Sequence, residues 1–334
     1  MDNFFSSISL RDAGTALLDL AMPRRCIACR RPLTLRERFL CLSCLADFPF
    51  THYWQLPHNP MADKFNALIQ QDLDSSPVDS GTNPPLLCSF DSSPTDSSTN
   101  APILCSFGSS SANSGTDSSY LCLNGQPDAA PADGTSRWHE PYAFAAALFF
   151  YSSVSDYRHI PWHLKYEGGL AAGRHFARML GERLAASPQF ADVDVVVPVP
   201  LHWTRQWRRG YNQAEIIALE LAAALGAELR TDILRRVRRT RSQVRLSVPE
   251  KAANVRGAFA LRRSFALHYP SLLQRSSLAP SAPTQLTPQV RHILLVDDTF
   301  TTGSTLNSCR VVLRQAFPLP TRISVATLAF VAPD

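Results

Sequence analysis

Apolar residues fall along this chain in two rhythms. The runs YAFAAALFFY (142–151), DVVVPV (194–199), ILLV (293–296) and ISVATLAFV (323–331) are short and nearly unbroken, the pattern of strands covered on both faces. The first reads as one or two strands, the others as one each. Between them, residues 170–185, 212–225 and about 305–317 carry apolar positions at helical spacing. Asn212 stands as N-cap of the second, with Glu215 three residues on in a variant of the capping box. A looser amphipathic helix is read over 4–21, where Phe4, Phe5, Ile8, Leu17, Leu18 and Ala21 are the apolar members. Strands alternating with helices predict an α/β fold with a mainly parallel sheet.

Two stretches break the pattern. Residues 74–124 are three copies of a 17-residue unit, at 74–90, 91–107 and 108–124. The copies end in VDSGTNPPLLCSF, TDSSTNAPILCSF and ANSGTDSSYLCLN, and their cysteines are Cys88, Cys105 and Cys122. Such Ser-, Asp-, Pro- and Asn-rich copies offer too little apolar surface to offset chain entropy, so 71–137 is expected to be a disordered low-complexity insertion. A spacing of 17 has no chelating logic, and each cysteine reads as copied with its repeat. Residues 264–290, rich in Ser, Pro, Gln and Leu, read as a second loop insertion. The expected domains are 1–60, holding the N-terminal helix and a cysteine module, and 138–334, the α/β domain.

Composition sets the class. With 334 residues, 45% of them hydrophobic and 18% charged, the chain can bury a sizeable core. No apolar run approaches about 18 residues, so no membrane insertion is expected. Arg11 and Asp12 interrupt the apolar start, and no secretory signal is legible. A soluble, cytoplasmic protein is expected, its eight cysteines metal ligands or bystanders rather than disulfides. The net charge of +5 averages opposed segments: 205–256 holds twelve Arg or Lys against five acids, whereas 72–137 holds eight Asp and a single Arg. The basic segment is either a surface for phosphates or nucleic acid, or a solvated face.

Two motifs carry chemistry. Cys26-x2-Cys29-x11-Cys41-x2-Cys44 pairs two chelating corners into four thiolates, suited to tetrahedral Zn2+. Four protein ligands leave no open position, so the role read is structural. The second motif is ILLVDDTFTTGST (293–305). A strand delivers Asp297 and Asp298 to its carboxyl end, where open α/β sheets bind ligands. The loop that follows, Thr301, Thr302, Gly303, Ser304 and Thr305, opens a helix and suits a phosphate. The carboxylates can accept bonds from vicinal hydroxyls or hold Mg2+ through water. Phosphate beside diol describes a ribose 5-phosphate. The Thr-Thr-Gly-Ser-Thr tail speaks against a merely solvated acid pair or a response-regulator pocket.

This motif resembles the 13-residue phosphoribosyl pyrophosphate (PRPP) signature of type I phosphoribosyltransferases. Further stretches, LKYEG (164–168), VVPVPLHWTRQWRRGYNQA (196–214), TRSQ (240–243) and NVRGAF (254–259), together with the cysteine pairs, resemble the ComF family, competence-associated phosphoribosyltransferase-like proteins. The resemblance covers roughly 10–55 and 138–332, and neither the repeats nor 264–290.

It implies a type I phosphoribosyltransferase-like parallel sheet with a zinc knuckle or ribbon. PRPP would enter with Mg2+, Asp297 and Asp298 serving the ribose and the developing charge, and 301–305 the 5-phosphate. Val199 and Pro200 would lead into a pyrophosphate loop, with charge added by Arg208 and Arg209, whose plainer reading is a solvated basic turn. Arg239, Arg241 and Gln243 fall where a flexible hood closes in such enzymes, and Lys165, after a helix, is a candidate neighbour of the site. Gly210, Asn212 and Gly257 read as turn and cap residues. The acceptor of a phosphoribosyl group is open. The alternative implied is a non-catalytic accessory factor in DNA uptake, touching single-stranded DNA or a helicase partner. Trp203 and Trp207, interleaved with arginines, fit that locally, but core positions are the expectation for both.

Overall fold

A computed structural model of the chain describes residues 23–75, 140–152, 154–166, 169–238, 250, 254–268, 290–317 and 319–331. The 4–21 segment, the repeats, Arg239, Arg241, Gln243 and most of 264–290 lie outside the described residues.

The four apolar runs become strands β1 (Ala145–Tyr151), β2 (Val195–Pro198), β6 (His292–Phe300) and β7 (Arg322–Val331). With the short β3 (Glu228–Leu229) they form one sheet, ordered β1-β7-β6-β2-β3 with every pair parallel. A separate antiparallel pair joins β4 (Leu234–Arg236) to β5 (Phe259–Leu261). The helices are α1 (Leu42–Ala46), α2 (Pro60–Ser75), α3 (His159–Tyr166), α4 (Leu170–Ala185), α5 (Trp203–Arg209), α6 (Gln213–Leu225), α7 (Arg263–His268) and α8 (Ser304–Arg314). The fold is α/β with a mainly parallel sheet and flanking helices.

Alternation along β6 separates two cores. Leu294 and Val296 face Phe176 and Leu180 of α4 and Ile217 and Leu221 of α6. Ile27, Leu33 and Leu40, from the stretch between and around the cysteines, join that same core. Ile293 and Leu295 point the other way, toward Met61 and Phe65 of α2 and Leu306 and Leu313 of α8. Residues 23–75 and those from 140 onward therefore make one compact unit.

Sequence reading did not anticipate α2, which runs through Ser75 and so takes in residues 71–75. Its signal was present. Pro60 is suited to a helix start, Asn59 Oδ1 accepts from Met61 N and Ala62 N at 3.1 and 2.9 Å, and Met61, Phe65 and Ile69 repeat every four residues. Asn212 caps α6 as read, though its side chain accepts from Ala214 N rather than from Glu215. Residues 264–268, read as the start of a loop insertion, belong to α7.

Buried charge closes one corner. Arg310, 3% exposed, gives Nη2 to Asp72 Oδ2 at 3.0 Å and Nη1 to Glu140 Oε2 at 2.7 Å. Arg314 reinforces it through Glu140 Oε1 at 2.7 Å. At the start of β6, buried His292 stands between Asp192 Oδ1 and Ser324 Oγ, both at 2.7 Å. Ser324 and His292 are fully buried, and through them the triplet ties the starts of β6 and β7 to the turn before β2.

Candidate functional site

Strand order decides where a ligand can sit. The chain leaves β2 toward β3 on one side and leaves β6 toward β7 on the other. The two connections diverge at the carboxyl ends of neighbouring strands and open a crevice there. The last β2–β6 pair is Pro198 with Val296, and Val199 N still donates to Val296 O at 2.8 Å. Beyond it β6 keeps only β7, pairing Asp297 with Thr327 and Phe300 with Phe330. The strand thus extends past the expected end at Val296, and both acids lie inside it, at the crevice.

A cavity of about 450 Å³ fills this place. Asp297, Asp298 and the whole loop Thr301–Thr305 line it, with Val199 and Pro200 opposite. Lys165, Arg208 and Arg209 line it too, so the described candidates converge on one space. Arg205 and Arg236 also face it. Five cations against two acids favour an anion.

The loop is held from below and behind. Gly303 has φ of +78°, and a Cβ there would come within 2.8 Å of the Phe300 ring and 2.9 Å of Leu68, so no side chain is accommodated. Thr302 Oγ1 and Ser304 Oγ are 2.9 Å apart. Gly303 supplies no side-chain cap, leaving the first turn of α8 to the cavity side of the loop. Lys64 Nζ, from α2, donates to Thr301 O at 2.8 Å.

Lys165 sits in the last turn of α3 rather than after it. Tyr211 and Gln213 both donate to the carbonyl of Leu164, its neighbour, and so fix this helix end. Lys165 Nζ meets Asp298 Oδ2 at 3.0 Å. Burial opposes the lysine's charge most strongly, but Asp298, Tyr151 and Asp297 together outweigh it and the net shift is upward. Burial, and then the charge of Asp298, push the Asp297 carboxyl up to about 7, while Lys165 and Arg236 pull the other way. Asn212 Nδ2 donates to Val199 O at 3.1 Å, so one residue caps α6 and holds the exit of β2.

Arg209 Nη1 bonds Gln213 Oε1 at 3.1 Å and its guanidinium lies 5.3 Å from the Tyr166 ring centre. It is more than a solvated turn residue. Trp203 and Trp207 overturn their expectation. They are 70% and 87% exposed, because the seven-residue α5 buries no side chain.

The cysteines form the second constellation. The Sγ atoms of Cys26, Cys29, Cys41 and Cys44 all lie within 4.8 Å of one another, and Cys29 and Cys41 sulfurs are 3.7 Å apart. Thiolates on tetrahedral zinc at about 2.3 Å stand about 3.8 Å from each other, against about 2.05 Å in a disulfide. Arg30, at φ of +65°, turns the first corner. Cys41 N donates to Cys26 Sγ at 3.4 Å. A backbone bond from Arg31 brings the Cys29 thiol down to about 7, whereas burial raises Cys26 and Cys44. Donor type and spacing fit a structural zinc site, with the four cysteines as its holders.

No family model matches the chain. The chain is 35% identical over 122 residues to Competence protein F of Haemophilus influenzae, covering 36% of this chain and 44% of that protein. It is 30% identical over 161 residues to DNA utilization protein YhgH of Salmonella typhi, covering 46% of this chain and 61% of the relative. YhgH of Escherichia coli gives 32% over 113 residues, 34% and 40% of the two chains. These relatives support a ComF-family protein. The chain spans about half the length of the curated relatives it matches.

Sequence reading missed Arg205, inside the 196–214 stretch, and Arg236, outside every quoted stretch, as cavity residues. Arg236 ends β4, lies 5.1 Å from the Phe259 ring centre and faces Asp297 electrostatically. Its only sequence signal was membership of the basic segment. No described helix is long and apolar enough to cross a membrane.

Proposed function

We propose that the cavity binds phosphoribosyl pyrophosphate on a type I phosphoribosyltransferase-like scaffold, as its magnesium complex. The observation that carries this reading is the joining of an acid pair to a Thr/Gly/Ser loop and helix start at the divergence of β2 and β6. Asp297 and Asp298 take the ribose hydroxyls, and 301–305 the 5-phosphate. Magnesium held by the pyrophosphate would lower the charge on that leaving group. Arg205, Arg208 and Arg209 meet that group on the opposite wall. When the anomeric C–O bond breaks, its electron pair leaves with pyrophosphate, and the carboxylates stabilise the positive charge left on the sugar. Transfer to an acceptor then completes a phosphoribosyltransferase reaction.

Calorimetric titration of PRPP with Mg2+ tests it, using native protein and the Asp297→Asn/Asp298→Asn double variant. Binding by the native protein alone supports the site. Binding by neither, with zinc content and folding intact, removes it.

A second reading is favoured by Trp203 and Trp207, exposed among arginines on α5. Bases stack on such rings while arginines follow the phosphates. In this reading the protein is an accessory factor in DNA uptake, a role consistent with the names of its relatives. Fluorescence quenching of these tryptophans by an oligo-dT strand, falling steeply with salt, is its expected signature. Salt-independent or absent quenching removes it.

A further inference from the structure

One face of α2 follows the ligand loop along its length. Lys64, Leu68 and Asp72 stand four residues apart on that helix. Lys64 Nζ donates to Thr301 O at 2.8 Å. Leu68 lies so close to Gly303 that a Cβ would come within 2.9 Å of it. Asp72 takes Asn307 Nδ2 at 2.8 Å and Arg310 Nη2 at 3.0 Å. The stripe therefore backs the loop from its entry to the second turn of α8.

The first of these contacts has a direction. In a trans peptide the C=O and the following N–H point opposite ways, and Thr301–Thr302 is not among the cis bonds. A Thr301 carbonyl held toward α2 turns the Thr302 N–H away from α2. Thr302 lines the cavity. Loss of the tie would remove the restraint that fixes this peptide before any anion is bound, and the amide would have to be oriented at the expense of binding.

We propose that Lys64 is a positioning residue of the loop: by holding the Thr301 carbonyl outward, it aims the Thr302 amide at the phosphate of a bound sugar phosphate. The assignment rests on the ribose phosphate reading above. Lys64 does not line the cavity, so it acts through the loop and not on the ligand.

The test uses the full chain, with ribose 5-phosphate as the probe. Calorimetry compares the native protein with Lys64→Met and Lys64→Arg, while 15N-threonine NMR follows the Thr302 amide. Affinity is expected to fall about tenfold in Lys64→Met, the scale of one lost charge-assisted hydrogen bond, and to recover in Lys64→Arg. Melting temperatures should stay within about 2 °C, as for surface substitutions generally. The Thr302 amide should shift downfield on titration in the native protein, and much less in Lys64→Met. A merely structural lysine would leave that resonance unchanged. Equal affinity and equal amide shift in Lys64→Met overturn the assignment while leaving the site in place. No binding by native protein removes the ribose phosphate reading, and the assignment with it.

Discussion

Lys165 Nζ and Asp298 Oδ2 stand 3.0 Å apart, with the two side chains 28% and 14% exposed. The pair joins the end of α3 to the end of β6, two elements far apart in sequence, and it neutralises one of two adjacent carboxylates. Replacing Lys165 by Met leaves Asp298 beside Asp297 without its cation. The cost should be about 1–3 kcal/mol at pH 7, between an exposed and a fully buried pair. Urea unfolding measures it. Lys165→Met/Asp298→Asn should be more stable than Lys165→Met alone, because the double variant removes the uncompensated charge. Additive losses would mean that the two residues do not interact.

Asp297 predicts an unusual pH dependence. Its carboxyl is raised from 3.8 to about 7 by burial and by Asp298. The folded state therefore keeps a proton that the unfolded state has lost between these values. Stability from this group is present at low pH and declines as pH rises through about 7. Asp297→Asn cannot ionise. Its melting temperature should exceed that of the native protein at pH 8 and approach it at pH 4. A constant difference across that range would refute the raised carboxyl.

Zinc should be present at about one ion per chain by elemental analysis and absent from Cys26→Ser. Cys26 and Cys41 are buried in the core that also holds Phe176 and Leu294. Metal removal should therefore weaken the α/β unit itself, by several kcal/mol, and not merely release a separate module. Calorimetric unfolding with and without chelator reads this directly. An unchanged main transition after confirmed zinc loss would count against the coupling.

Gly303→Ala places a methyl against Phe300 and Leu68 at a positive φ. The expected cost is about 1–3 kcal/mol from backbone strain and overpacking. Sugar-phosphate binding should fall further than stability does, since the loop carries both. Thermal melts and titration on one sample separate the two.

The central strands and the acid–loop motif were legible because each is local. ILLV demands burial on both faces, and Asp297 follows at once. What escaped depended on distance or direction. Arg236 reaches Asp297 from β4, and Lys64 reaches Thr301 from a helix before the repeats; neither approach is encoded in spacing. Trp203 and Trp207 misled because residue type suggests burial, yet a seven-residue helix rich in arginine had no core face to offer them. α2 was legible in its cap and its apolar repeat, and was obscured by the low-complexity stretch that begins as it ends.

Asp72 precedes the repeats and Glu140 follows them, and one guanidinium, Arg310, grips both. One side chain thus ties together the two described segments that flank the repeats, 23–75 and 140 onward. Arg310 therefore gives the helix before the repeats and the segment after them a shared fate: losing its guanidinium would loosen both at once.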